Sequence, residues 1–338
     1  MAVYTKLTQQ DIEFHLEQYN IGNLVEYKEI LAGIDNSNFI IKTDQANFIL
    51  TIFEARIDPK DLPYFIGLKL HLAQHDICCP EPMKTISGEV ITDLKGKKSA
   101  IVSFLQGAML EPRSDGYYDA ITANHCFEVG AITAKMQLAA QDFTLKRHND
   151  LGCLDFAEFL AKFSDFMLQD KDFRFPFVKG EGEGSLLAEI KAVLSDLEAN
   201  WRQDLTAGPC HLDLFPDNVF FNGEKLSGVI DFYFAANDLF IYDFAVIVNA
   251  WCFDEDNNFD FEKFRAMKAG YQQYRKITES EQSFLKAALT AASLRFLLTR
   301  LHDMFMTPED SFVTVKDPRE YLTKMRFFVN LNEQELND

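Results

Sequence analysis

The sequence predicts an α+β fold with two lobes, and three observations support this. Short apolar runs separated by turn residues fill residues 24–104, which is typical of a meander of antiparallel strands. From Gly107 onward apolar residues recur at helical spacing, which indicates a larger, mainly helical part. The 338 residues are 47% hydrophobic, enough to bury a large core. We therefore expect an N-terminal lobe at residues 1–105 and a C-terminal helical lobe at residues 106–338.

The first lobe is expected to begin with a helix that has Thr8 as its N-cap and ends near residues 20–22. A second helix is predicted at residues 63–74 from the spacing of its apolar side chains. The predicted strands lie at residues 25–30, 38–42, 48–54, 83–86, 90–94 and 99–104, with 83–86 and 90–94 forming a hairpin.

The second lobe is expected to consist mainly of helices, because its apolar residues follow a helical period. The main candidates are residues 119–140, 155–168, 184–201, 261–274 and 279–306.

Composition restricts the class of partner. The net charge of −19 disfavours nucleic acid and anionic membranes, which would repel the chain. No apolar stretch approaches the roughly 18 residues that a membrane span needs. The six cysteines show neither a Cys-x-x-Cys pair nor zinc-site spacing, and the first residues do not resemble a secretion signal. We expect a cytoplasmic protein with reduced thiols and a small-molecule partner; the sequence leaves its oligomeric state open.

The most informative segment runs from His211 to Asp231, and it reads as a phosphotransferase catalytic loop followed by a metal-binding aspartate. Phosphoryl transfer needs one carboxylate near the acceptor hydroxyl and separate oxygen ligands for magnesium. Asp213 fits the first role, and Asn218 with Asp231 fits the second. Singly, an Asp-Asn pair in a turn is ordinary turn chemistry. Together at this spacing they predict a kinase that uses ATP and Mg²⁺.

A β-hairpin is predicted between the two metal-binding candidates, because apolar runs at 219–221 and 226–230 flank a turn containing Gly223. A hairpin returns the chain to its start, so both candidates should lie at one end. Protein kinases have arginine between the histidine and aspartate of this loop, whereas here the residue is Leu212. This difference indicates a small-molecule kinase.

With these motifs the chain resembles the aminoglycoside-phosphotransferase and choline-kinase group of protein-kinase-like folds, and within it the homoserine kinases. The resemblance covers most of the chain. The segments that carry it are residues 33–38, 48–54, 61–65, 211–221, 228–234, 249–252, 295–300 and 316–318.

The resemblance implies ATP-dependent phosphorylation of the hydroxyl of L-homoserine to O-phospho-L-homoserine, a step of threonine biosynthesis. Asp213 would accept or orient the acceptor hydroxyl, and His211 would orient the loop without titrating. Asn218 and Asp231 would hold Mg²⁺, and Asp243 would support the loop through hydrogen bonds.

Further residues are expected around the two ligands. The turn that covers the phosphates would contain Gly33, Asn36, Ser37 and Asn38, and the hinge that meets the adenine would contain Ser103 and Leu105. The candidates for contact with the acceptor are Tyr233, Trp251, Arg295 and Arg300. The two arginines lie about 140° apart around a helix, so we expect one in the cleft and one in a structural ion pair. By resemblance alone, Arg147 and Asn149 also face the cleft.

The sequence lacks one feature of protein kinases, and this leaves alternative functions open. Protein kinases pair a strand lysine with a helix glutamate, but Thr51 occupies the lysine position and residues 63–74 contain no glutamate. Lys42 is a candidate substitute, although a surface lysine is the simpler interpretation. Another small-molecule kinase, acting on choline, methylthioribose or an aminoglycoside, and a non-catalytic pseudokinase that binds nucleotide therefore remain alternatives.

Overall fold

The computed structural model describes residues 4–31, 36–54, 57–110, 121–158, 160–161, 183–307 and 315–337. The first part of the chain forms one antiparallel sheet in the order β1-β2-β3-β5-β4. Its strands are β1 Leu24–Ile30, β2 Asn36–Thr43, β3 Asn47–Phe53, β4 Thr92–Leu94 and β5 Lys97–Ser103. Helix α1 is Gln9–Leu16, and α2 is Leu62–Gln74.

The sheet forms because alternate residues of its central strands are apolar and fully buried, as at Phe39 and Ile41 of β2 and Leu50 and Ile52 of β3. Side chains of α1 join the same apolar cluster. The predicted N-cap at Thr8 is confirmed by a capping box with Asp11, although the helix ends at Leu16, earlier than expected.

The predicted hairpin between residues 83–86 and 90–94 is wrong. Residues 83–86 contribute no strand: Thr85 makes an isolated bridge to Tyr19, and the nearby Pro82 bridges to Val102. The turn is closed instead by a hydrogen bond from the Thr85 amide to the Glu89 carbonyl. Residues 81–83 lie beside β5 instead, because the Ser103 amide donates to the Glu81 carbonyl at 2.9 Å and the Met83 amide donates to the Ile101 carbonyl at 2.8 Å.

The second part of the chain begins at β6, Ala108–Met109, which pairs with β8 rather than with the first sheet. The predicted boundary at residues 105/106 therefore falls between β5 and β6. The further strands are β7 Ala207–Cys210, β8 Val219–Asn222, β9 Lys225–Val229 and β10 Ala236–Leu239. They form two small sheets, β6-β8-β9 and β7-β10.

Helices make up most of this second part. They are α3 Ala123–Ala139, α4 Glu183–Asn200, α5 Phe240–Trp251, α6 Phe261–Tyr274, α7 Glu279–Met306 and α8 Arg319–Asn330. The predicted bounds of α6 and α7 are confirmed, whereas most of the predicted helix at 155–168 lies outside the described residues. We did not expect α5, whose residues are almost all buried, including its polar Asp243 and Asn249, so that it has no exposed polar face. No helix in the described ranges is long and apolar enough to cross a membrane.

Candidate active site

The loop between β7 and β8 carries the candidate catalytic residues. Its turn at Pro216–Asn218 brings Asn218 back to the start of the loop, where Nδ2 donates to the backbone carbonyl of Asp213 at 2.8 Å. Asp213 is half-buried. Burial raises the pKa of its carboxyl to about 8, and the guanidinium of Arg295 acts in the opposite direction. A carboxyl group in this position can accept a hydrogen bond from an acceptor hydroxyl.

His211 orients this loop. Its ring nitrogen Nε2 lies 2.9 Å from the carbonyl oxygen of Ile230, and Nδ1 accepts a hydrogen bond from the amide of Asp213 at 3.3 Å. The two bonds together require the proton on Nε2. Burial lowers the pKa of His211 to about 4, so the ring is neutral at physiological pH. This geometry supports the predicted orienting role.

The β8-β9 hairpin brings the two candidate metal ligands to one end, as its turn composition predicted. The amide of Ile230 donates to the carbonyl of Asn218 at 2.9 Å, which places Asp231 beside Asn218. Asp231 has left-handed backbone angles (φ 63°, ψ 66°) and begins the short turn Phe232–Phe234. Asn218 uses Nδ2 on Asp213, which leaves its amide oxygen free of that bond. This oxygen and the Asp231 carboxylate are of the hard oxygen type that Mg²⁺ prefers.

Side chains of helices α5 and α7 hold the catalytic loop through hydrogen bonds to the backbone of Leu212. Asp243 of α5 accepts a hydrogen bond from the amide of Leu212 at 2.8 Å and a second from Nε2 of Gln137 at 3.0 Å. Arg295 of α7 donates to the carbonyl of Leu212 at 2.6 Å. Both backbone groups of Leu212 are therefore held by buried side chains, and this residue too is left-handed, with φ 63°. The support predicted for Asp243 agrees with this arrangement.

The predicted phosphate-covering turn differs from the structure. Gly33 lies outside the described residues, and β2 already begins at Asn36. The buried Ser37 hydroxyl accepts bonds from the amides of residues 4 and 5 and donates to Glu54. Asn36 accepts a bond from the Glu54 amide, and Asn38 accepts one from the Thr51 hydroxyl at 2.8 Å. These side chains form hydrogen bonds within the N-terminal lobe, which argues against their predicted role as hydrogen-bond donors to the phosphates.

The hinge candidates lie where the chain passes from one lobe to the other. Ser103 ends β5, and both its amide and its hydroxyl form 2.9 Å bonds to the backbone of Glu81. Leu105 packs against Gly228 of β9, where an added Cβ would lie 2.7 Å from the leucine Cδ1. Lys42 is exposed on β2, as the simpler interpretation predicted.

The four acceptor-site candidates fall into two groups. Arg295 lies beside the catalytic loop and is also buried, with Nη1 on the Leu212 carbonyl. Arg300 is bound by the Asp317 carbonyl at 2.7 Å and the Glu320 carboxylate at 2.6 Å. Trp251 is fully buried and donates from Nε1 to the carbonyl of Leu214 at 2.8 Å. The geometry therefore argues against substrate contact by Arg300 and Trp251, whose polar groups are bound within the protein.

Tyr233 lies between the two lobes. Its ring makes edge contacts with Phe53 of β3 and Phe65 of α2, with centroids 5.9 and 5.8 Å apart. It follows Asp231 by two residues and is half-buried. Of the aromatic candidates, Tyr233 is the one that the structure places in the cleft.

Comparisons with known proteins agree with this geometry. Residues 26–277 match the model of the phosphotransferase enzyme family. The chain is 42% identical to a homoserine kinase of Rhizobium etli over 327 residues, which is 97% of this chain and 96% of that protein. A homoserine kinase of Agrobacterium fabrum is also 42% identical, over 97% of this chain and 95% of that protein. The chain belongs to the homoserine kinase branch of the phosphotransferase family.

Solved structures of this family show the same fold. A spectinomycin phosphotransferase in complex with ADP and spectinomycin has a TM-score of 0.70 at 11% identity, covering 98% of this chain and 99% of that one. An amicoumacin kinase in complex with AMP-PNP, Ca²⁺ and Ami has a TM-score of 0.68 at 11% identity, covering 98% of this chain and 97% of that one. The predicted two-lobed, protein-kinase-like α+β fold is confirmed.

The site of this family member also contains a lysine that we did not predict. Lys69 of α2 is buried, and its ammonium lies 5.4 Å from the centroid of the Tyr233 ring. Burial lowers its pKa to about 8, and the nearby Asp231 carboxylate acts in the opposite direction. The signal was present in the sequence, because Lys69 is the one lysine or arginine of an otherwise largely apolar helix.

Proposed function

We propose that this chain phosphorylates the hydroxyl of L-homoserine with Mg²⁺-ATP, forming O-phospho-L-homoserine for threonine biosynthesis in the cytoplasm. The observation that carries the choice of acceptor is 42% identity to homoserine kinases along nearly the whole chain. The reaction class has separate support from the geometry of Asp213, Asn218 and Asp231.

In the proposed reaction Asp213 accepts a hydrogen bond from the acceptor hydroxyl and aligns its oxygen for in-line attack on the γ-phosphate. His211 fixes the loop through Ile230 and takes no part in proton transfer. Magnesium, held by Asn218 and Asp231, would neutralise charge on the phosphate oxygens. The leaving group is ADP.

The proposal also assigns a role to each lobe. We propose that residues 1–105 hold the nucleotide, with backbone groups of residues 103–106 meeting the adenine. Residues 106–338 carry the acceptor site, where Arg295 is the candidate partner of the homoserine carboxylate and Tyr233 forms an apolar wall.

The decisive experiment measures ADP release with Mg²⁺-ATP and a panel of acceptors: L-homoserine, D-homoserine, L-serine, L-threonine, choline, methylthioribose and kanamycin. We expect turnover that is restricted to L-homoserine. Asp217→Asn serves as a matched control for Asp213→Asn, because Asp217 is an exposed carboxylate of the same loop.

Each other result has a clear meaning. Turnover of a different acceptor would keep the kinase and reject homoserine. Nucleotide binding without turnover of any panel member would favour a pseudokinase and make the missing strand lysine, replaced by Thr51, the main feature of the chain.

A further inference from the structure

The segment Asp61–Phe65 has no function in the proposed reaction, yet it contacts the cleft. Asp61 stands at the N-cap of α2, where an aspartate usually accepts a hydrogen bond from the first turn of its own helix. Its side chain forms no such bond. Oδ2 instead accepts a hydrogen bond of 2.7 Å from Nε of Arg147, which belongs to the other lobe.

Arg147 is held on α2 by a second contact as well. Its guanidinium carbon lies 5.1 Å from the centroid of the Phe65 ring, one turn after Asp61. The ion pair is partly shielded from water, with 17% of the arginine side chain and 33% of the aspartate side chain exposed. Shielding and the stacked ring both favour a fixed geometry over a mobile surface pair.

Nη2 of Arg147 also lies 3.6 Å from the exposed carboxylate of Asp150. Three further contacts of Arg147 lead to the metal-binding segment. Its amide donates to Oδ1 of Asn237 at 3.0 Å, and its carbonyl accepts from the Asn237 amide at 2.9 Å. Nη1 also lies 3.4 Å from the carbonyl oxygen of Ala235. Residues 235–237 follow Asp231 directly after the Phe232–Phe234 turn. Arg147 therefore joins the start of α2 to the chain that emerges from Asp231.

We infer that the Asp61–Arg147 ion pair positions α2 against the catalytic lobe, and that Arg147 is a positioning residue for the metal-binding segment. In protein kinases a strand lysine paired with a helix glutamate fixes the corresponding helix. That pair is missing here, because Thr51 uses its hydroxyl on Asn38 and α2 has no glutamate. Here α2 is fixed instead at its N-terminus, by the ion pair with the opposite lobe. The inference that this affects catalysis rests on the proposed phosphotransfer.

A fixed α2 matters for the cleft because the same helix face carries Phe65 and Lys69, which contact Tyr233. Tyr233 lies two residues from Asp231. Movement of α2 would therefore disturb the packing next to the candidate metal ligand, at a distance from the atoms that react.

The test uses Asp61→Asn, Arg147→Met and the double variant. We expect kcat to fall at least about tenfold in each single variant, as is usual when support of a metal site is removed. The kcat of the double variant should be no lower than that of the less active single variant, because all three variants remove the same ion pair. Hydrogen exchange of the α2 amides should rise in all three.

Arg326→Met is the matched control. It breaks an interhelical pair with Glu189 of 2.7 and 2.8 Å and similar exposure, 33% and 30%, away from the cleft. We expect wild-type kcat and unchanged exchange in α2. Asp61→Asn keeps the size of the residue and removes only its negative charge, so the test remains available if Arg147→Met does not fold.

Three results would overturn the inference: wild-type kcat in Asp61→Asn, losses that multiply in the double variant, or α2 exchange that does not change. Loss of activity in Arg147→Met alone would assign the arginine to substrate contact instead. Hydrogen exchange needs no acceptor, so it tests the positioning role even if L-homoserine is not phosphorylated and the proposed function fails.

Discussion

Arg295 donates a hydrogen bond of 2.6 Å from Nη1 to the carbonyl of Leu212, the residue that precedes Asp213. The arginine predicted to bind the acceptor thus also holds the catalytic loop. Arg300, one and a half turns later on α7, is bound to Glu320 and to the Asp317 carbonyl.

The two arginines should differ in their effect on the acceptor. Arg295→Met is expected to raise the KM for L-homoserine and to lower kcat. It should also reduce the free energy of unfolding by about 1–3 kcal/mol, because the buried Leu212 carbonyl loses its partner. Arg300→Met should reduce stability and leave that KM unchanged. Steady-state kinetics and urea unfolding check both variants; an unchanged KM in Arg295→Met would restrict Arg295 to a structural role.

Substitution of Asp213 and of Asp231 should have different effects, the first on turnover and the second on the Mg²⁺-dependent binding of ADP. Asp213→Asn is expected to lower kcat by at least about 100-fold, since it removes the group that accepts the hydroxyl proton, while ADP affinity is largely kept. Asp231→Asn should remove the dependence of ADP binding on Mg²⁺. Calorimetric titration with and without Mg²⁺ checks both. Wild-type turnover in Asp213→Asn would show that the roles are assigned incorrectly.

Ser37→Ala should be a stability variant and not a nucleotide-binding variant. The Ser37 hydroxyl joins the N-terminal segment to Glu54, so its loss is expected to reduce the free energy of unfolding by about 1–3 kcal/mol. The KM for ATP should stay at the wild-type value. If that KM instead rose severalfold in a stable variant, the original assignment of Ser37 to the phosphates would be restored.

The acid sensitivity of the N-terminal lobe should depend in part on His15. Burial lowers its pKa below the usual value of 6.5, so the unfolded chain takes up the proton first and protonation favours unfolding below that pH. His15→Gln should therefore lose less stability than wild type between about pH 7.5 and about pH 5. Urea unfolding at both values checks this. Buried carboxyls with raised pKa, such as that of Asp243, act in the opposite direction in both proteins, so only the difference is informative.

The catalytic loop could be predicted from the sequence because its candidate catalytic residues lie close together in the chain. His211, Asp213 and Asn218 lie within eight residues, and a hairpin of ordinary turn composition brings Asp231 back to them. The large helices were predicted well for the same reason, since the helical period is a property of adjacent turns.

The remaining assignments depended on distant neighbours. Trp251 reads as a pocket aromatic until its indole is seen to bind the Leu214 carbonyl, 37 residues away. Residues 36–38 read as a turn because Asn and Ser favour turns, but pairing with β3 makes them strand. The α5 helix was missed because burial on all sides removes the polar face that marks a helix.

Two residues of the candidate active site, Leu212 and Asp231, both have a φ of 63°. Aspartate tolerates this conformation, but for leucine it is strained, and for β-branched side chains more so. The side chain at position 212 is also fully buried, which disfavours the polar residues that would relax the backbone. Position 212 of this chain should therefore accept few replacements: apolar side chains without a branch at Cβ and glycine are compatible, and a library that introduces valine or isoleucine there should return few active clones.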